Sequence, residues 1–176
     1  MIEWDRLGQR ADAFRTLGEL LPEGFLLVET GTIRKIDNWE GDGQSTIAWS
    51  TFAATKSGTV VTIDIDPVGA DLVARLELPH VIAHTGDSLR VLPTLTGVVD
   101  LLYLDSFDVN FSDPEPAAAH HLAELDAAWH LLASGSVVAV DDNLDGVGKG
   151  TRVADRLLAE GATEIVSGYV RAWRLP

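Results

Sequence analysis

The chain has no cysteine, a single methionine, and only 13 lysines and arginines against 27 aspartates and glutamates in 176 residues. Without cysteine there is no disulfide framework and no thiolate zinc site, and the redox compartment is left unmarked. Cations are few and nowhere clustered, so the footprint that a phosphate backbone requires is missing, and nucleic acid is not an expected partner. No stretch approaches the roughly 18 apolar residues of a membrane span, and Met1-Ile2-Glu3-Trp4-Asp5-Arg6 lacks the basic segment and apolar run of a secretory signal. No membrane partner is expected, and a cytoplasmic location is the default. Repeats, low-complexity tracts and Pro/Ser-rich linkers are also missing, so 1–176 reads as one domain, long enough to close an apolar core. The net charge of −14 is spread along the chain and reads mostly as a solvated surface.

What the chain does have is alternation. Short β-rich apolar runs at 25–30, 59–65, 80–85, 99–105, 136–141, 163–167 and 169–175 predict seven strands. Between them, 45–56, 68–77, 114–133 and 150–160 carry apolar residues three and four apart, which predicts helices with one face for the sheet. The pattern is that of an α/β, Rossmann-like, doubly wound sheet with helices on both faces. Only Ser167-Gly168 separates the last two runs, enough for a hairpin and too little for a parallel crossover, so the final strand is expected to be antiparallel.

In such a sheet ligands bind beyond the carboxyl ends of the strands, where polar residues carry information. Glu29, Asp64, Asp105 and Asp142 stand at those ends. The first strand runs through Glu29-Thr30-Gly31-Thr32 and, after an insertion, Gly41-Asp42-Gly43-Gln44-Ser45-Thr46 into the next helix. Glycines there allow close backbone approach, and the helix start at Ser45 presents free N–H groups, so Glu29, Gly31, Thr32, Gly43 and Ser45 are candidate ligand contacts. Asp64 is suited to accept hydrogen bonds from vicinal hydroxyls such as those of a ribose. A nicotinamide enzyme uses a similar loop and acid, but Thr46 stands where G-x-G-x-x-G needs its third glycine.

Val28-Glu29-Thr30-Gly31-Thr32, Thr62-Ile63-Asp64-Ile65-Asp66-Pro67, Gly86-Asp87-Ser88, Asp100-Leu101-Leu102-Tyr103-Leu104-Asp105 and Val138-Ala139-Val140-Asp141-Asp142-Asn143 come in a telling order. Together they resemble class I S-adenosylmethionine-dependent methyltransferases, most of all the cation-dependent O-methyltransferases that include catechol O-methyltransferase, with macrocin-type sugar enzymes similar. The resemblance implies S-adenosylmethionine as cofactor, Gly31 and Gly43 beside its methionine part, Asp64 on its ribose, and Asp87 with Ser88 along the adenine. It also implies that Asp105, Asp142 and Asn143 hold Mg²⁺ or another divalent cation, which prefers such hard oxygens, and that a small-molecule hydroxyl is the acceptor. A metal-independent methyltransferase and a cofactor-binding protein without transfer activity are the alternatives.

The chain departs from this pattern at two places. Where the catechol enzymes carry a lysine base there is Asp108, which reads equally as proton acceptor, further ligand or loop residue beside catalytic Asp105. The loop at 33–42 is longer than usual and brings Arg34 and Trp39, one of which is expected to touch ligand. Residues 2–21 leave little for a lid, which makes a homodimer a reasonable expectation. His120, His121 and His130 read as surface or packing residues, His84 as a possible ligand contact, and Trp49, Trp129 and Trp173 as core. Adjacent strand residues face opposite ways, so Asp141 and Asp142 need not both reach one site.

Overall fold

The computed structural model describes residues 2–39, 41 and 44–176. Five parallel strands, β1 (Leu26–Thr30), β2 (Thr59–Asp64), β3 (Val81–Thr85), β4 (Leu101–Leu104) and β5 (Val137–Val140), lie in the order β3-β2-β1-β4-β5. The sheet is completed by β9 (Arg171–Arg174), antiparallel to β5, and β8 (Thr163–Val166) at the edge. The seven expected strands all form, and the last is the antiparallel one.

Each central strand is apolar on both faces because both are covered. On one face Leu27, Val60, Leu101, Tyr103 and Ala139 pack under α1 (Ala11–Leu20) and α2 (Gln44–Lys56), through Phe14, Leu17, Trp49 and Ala53. The alternate residues Val28, Val61, Ile63, Leu102, Leu104, Val138 and Val140 pack against α5 (Glu115–Ala128) and α6 (Thr151–Ala159), through Leu125, Ala128, Val153 and Leu157. This period-two division is what fixes the register. Trp49 and Trp173 are fully buried and Trp129 packs on the core edge, as expected.

The connections differ in detail from the sequence reading. α3 (Pro67–Arg75) begins one residue earlier and ends two earlier than expected, capped by Asp66, whose side chain accepts from Val68 N at 3.0 Å. The helix expected over 114–133 ends at Ala128 and tightens into a 3-10 turn, Trp129–Leu131. Four residues, not two, join β8 to β9, and a bulge falls between Glu164 and Val166. Elements not foreseen include α1, the short α4 (Ser88–Val91), and a two-stranded hairpin of β6 (Asn143–Leu144) and β7 (Val147–Gly148). Among the described residues no helix is long and apolar enough to cross a membrane.

Candidate active site

Strand order reverses between β1 and β4, and two cavities open there at the carboxyl ends of the strands. The first, of about 380 Å³, is walled by apolar Ile65, Leu89 and Phe107 and by polar Asp64, Asp87, Ser88 and His120. Asp64 Oδ2 accepts from Thr32 N at 3.1 Å and Oδ1 from Asp66 N at 2.9 Å, so the carboxylate ties the β1 loop to the end of β2. A carboxylate has roughly four lone-pair sites, which leaves capacity for two ligand hydroxyls. Asp87 caps α4, its Oδ1 accepting from Leu89 N at 3.0 Å.

His120 was expected to pack or face solvent, yet it forms part of this wall. Its ring lies 5.1 Å from that of Phe107, and Nε2 stands 3.3 Å from Glu124 Oε1. The bond to Glu124 raises the imidazole pKa. Glu124 is buried, which alone would raise its pKa, but His120, His121 and Ser106 outweigh burial and hold it below the usual range. It also accepts from Thr30 Oγ1 at 3.0 Å and Ser106 Oγ at 2.7 Å, joining α5 to β1 and β4. His121 does pack: it is buried, its Nδ1 is 2.7 Å from Ala117 O, and burial pushes its pKa down to about 4.

The second cavity, of about 210 Å³, is charged. Arg10, Arg34 and Lys149 line it with Asp105, Asp108, Asp141 and Asp142, three cations against four aspartates among the described residues. Gly31, Thr32, Ser45 and Tyr169 also face it. Gly31 has φ of +81°, and a Cβ there would stand 2.5 Å from Asp105 O, so glycine is required where the ends of β1 and β4 converge. Consecutive residues Asp105 and Ser106 line the charged and the apolar cavity respectively.

Asp141 and Asp142 both reach the charged cavity because Asp142 leaves extended geometry, with φ of +54°. Aspartate tolerates that conformation better than most residues. Asp141 accepts from Tyr103 Oη at 2.8 Å and pairs with Arg10 Nε at 3.6 Å. Burial raises the pKa of Asp141, against Arg10. For Asp142 burial is outweighed by Lys149 and Tyr169, and its pKa is lowered. Asp105 is raised to about 8, by burial and by Asp141 and Asp142, although Lys149 opposes the shift.

The residues do not fit the divalent cation that the resemblance implies. Lys149 Nζ stands between the two carboxylates, 2.6 Å from Asp105 Oδ1 and 2.7 Å from Asp142 Oδ2. A metal ion sharing those oxygens at its own bond lengths of roughly 2.0 to 2.6 Å would meet the ammonium head-on. Asn143 corrects the expectation further, since its amide is consumed inside the fold. Nδ2 donates to Val140 O, Asp141 O and Tyr169 O, and Oδ1 accepts from Gly150 N at 2.9 Å. Among the described residues no group of three His, Cys, Asp or Glu side chains is arranged to hold a metal.

Glu29 also moves from contact to support. It lines neither cavity, and it is fully buried, its Oε2 accepting from Thr46 Oγ1 at 2.7 Å and Thr62 Oγ1 at 2.9 Å. Burial raises it to about 7 against the hydroxyls of Ser45, Thr46 and Thr62. Asp108 sits at the rim, 78% exposed, with Oδ1 3.1 Å from Arg34 Nη2. Of the two insertion residues, Arg34 lines the cleft and Trp39 is core, packed among Ile2, Leu7 and their neighbours. His84 is exposed on β3 and lines neither cavity. Gly43 lies outside the described residues. Arg10, Lys149 and Tyr169 were missed by the sequence reading; Gly148-Lys149-Gly150 offered a faint signal, and Arg10 offered none.

Comparison with known proteins agrees with this architecture. Similar solved structures include TrmN from Thermus thermophilus, at 16% identity and TM-score 0.62 over 99% of this chain, which spans 52% of that one. Fibrillarin from Aeropyrum pernix, solved with natively bound S-adenosyl-L-methionine, gives 16% and 0.66, with 97% of this chain and 76% of that one covered. MycE from the mycinamycin biosynthetic pathway, solved with Mg, S-adenosylhomocysteine and mycinamycin VI, gives 15% and 0.63, with 93% and 48% covered. The sequence matches no curated protein. A family model described as "Methyltransferase domain" matches residues 40–143, more than half of the chain. With the class I S-adenosylmethionine-dependent methyltransferase fold in place as well, the chain belongs to that methyltransferase-domain family.

Proposed function

We propose that the chain transfers the methyl group of S-adenosylmethionine to a hydroxyl oxygen of a small-molecule acceptor. The observation that carries this reading is the pair of adjoining cavities at the strand-order reversal, one apolar with Asp64 at its edge, the other charged. When bound, the cofactor supplies an electrophilic methyl on a sulfonium sulfur, which an acceptor oxygen displaces in line. Asp64 then takes the ribose hydroxyls, and Ile65, Leu89 and Phe107 cover the purine. Gly31, Thr32 and Ser45 border the methionine part.

In this reading Asp105, at the partition between the cavities, takes the hydroxyl proton once it is ionised, which its pKa of about 8 places on the alkaline side of neutrality, and Asp108 at the rim is the second candidate. A small acceptor suits a net charge of −14 better than a polyanion does.

Calorimetric titration with S-adenosylhomocysteine tests the cofactor, and labelled S-adenosylmethionine offered with a panel of alcohols, phenols, sugars, amines and carbon acids tests the transfer. Wild-type protein should bind in the micromolar range. Asp64→Ala should weaken binding about 10- to 100-fold, the loss of charge-assisted hydrogen bonds to the ligand, while Asp142→Asn should leave affinity within about threefold. No binding by the wild type, or equal losses in both variants, would refute the assignment. Label appearing on nitrogen or carbon acceptors alone would refute its oxygen specificity.

A further inference from the structure

Lysine is among the side chains least often buried, yet Lys149 is 1% exposed, with its ammonium against Asp105 and Asp142. The chain goes to some length to put it there. Asp142 and Asp145 adopt φ of +54° and +50°, and the β6–β7 hairpin turns back on its own origin. Gly148, at φ of +154°, runs so close that a Cβ would stand 2.2 Å from Asp142 O. Gly150 is braced by Asn143, and a Cβ there would stand 2.8 Å from Asn143 Oδ1. Lys149 therefore emerges facing the carboxylate that precedes the hairpin. Two of its three N–H groups go to Asp105 and Asp142, and the third is left for the cavity that it lines.

We propose that Lys149 is the resident cation of this site, a tethered ammonium that fills the place between Asp105 and Asp142, excludes divalent metal and offers its remaining N–H to the acceptor oxygen. The offer to the acceptor rests on the methyl-transfer reading; the exclusion of metal does not. Asn143 is then the brace of the loop that delivers the ammonium. Removing the lysine should uncover two carboxylates that, with water completing the shell, can take a hard cation, and so create the metal site that the wild type lacks.

The test is titration with Mn²⁺, free ion being followed by electron paramagnetic resonance, on wild type, Lys149→Ala, Lys149→Met and Lys149→Ala combined with Asp142→Asn. The wild type should show no saturable site, and its thermal midpoint should not respond to Mn²⁺. Lys149→Ala should bind one Mn²⁺ at least tenfold more tightly than the wild type, with a midpoint that rises on binding, and the double variant should lose both effects. A single Mn²⁺ site in the wild type that Asp142→Asn abolishes would overturn the proposal, as would Lys149 variants that fold and gain no site. Should neither variant fold, wild type against Asp142→Asn decides by the same criterion. Metal-free titration of the wild type with S-adenosylhomocysteine separates the two readings. Failure to bind it refutes methyl transfer and leaves the Mn²⁺ result to judge Lys149 alone.

Discussion

Asn143 spends all of its amide on the backbone, on Val140 O, Asp141 O, Tyr169 O and Gly150 N. Replacing it by alanine strands buried groups whose desolvation costs about 1 to 3 kcal/mol. Asn143→Ala should therefore lower the urea midpoint by that equivalent while metal in the buffer changes nothing; a variant as stable as the wild type would contradict the bracing role. Residue types and their order at this strand end were legible in the sequence, as was the acidic strand end at Asp64. The direction of each side chain was not. The order Asp-Asp-Asn does not show how the chain turns there, and the left-handed turn at Asp142 swings one carboxylate into the cleft as the amide of Asn143 is drawn inward. Glu29 is a parallel case: its place at the end of β1 suggested contact with ligand, and the hydroxyls of Thr46 and Thr62 claim it instead.

Among the elements, the hairpin of β6 and β7 controls the chemistry most directly and was least visible beforehand. Its strands have two residues each, too short for any periodicity to register. Gly148→Ala should cost about 1 to 3 kcal/mol, since a Cβ can be housed only by moving the backbone away from Asp142 O. Because that movement also displaces Lys149, the variant should gain Mn²⁺ affinity while keeping the global fold. Circular dichroism together with the Mn²⁺ titration checks this, and unchanged stability would show that the hairpin tolerates more than its geometry implies. The central strands were legible because burial on both faces leaves an unbroken apolar run. Helix α1 escaped notice, though its Phe14 and Leu17 join the core under the sheet and Arg10, just before it, reaches Asp141. Residues 2–21, read as the only stock for a lid, are largely spent on that packing.

For the whole molecule, two buried groups set opposing slopes of stability against pH. Glu29 is raised from 4.5 to about 7, so the folded state holds its proton more tightly and stability falls as pH rises between those values. His121 is lowered from 6.5 to about 4, so the unfolded state binds the extra proton and stability rises with pH over that interval. Their contributions oppose each other between pH 4.5 and 6.5; above that the loss from Glu29 continues to about pH 7, joined by that from Asp105, which runs on to about pH 8. Glu29→Gln should accordingly gain stability relative to wild type from pH 5 to pH 8, by on the order of 3 kcal/mol. His121→Gln should flatten the acid side between pH 6.5 and 4. Denaturant melts across pH 4 to 8 measure both, and parallel curves for wild type and Glu29→Gln would show that Glu29 ionises in the fold without penalty.

The sequence by itself determined the alternation of strands and helices, the antiparallel final strand, and the acids at the strand ends, because each is written in local periodicity and in loop lengths that admit few connections. Tertiary structure alone decided which of those acids face ligand and what neutralises them. Arg10 and Lys149 lie 139 positions apart in the chain, and Asp105 lies 44 from its lysine. Partnerships across such separations are set by the packing of whole elements on a common sheet, and by one hairpin whose glycines allow it to close on itself, neither of which leaves a repeat for a sequence to display.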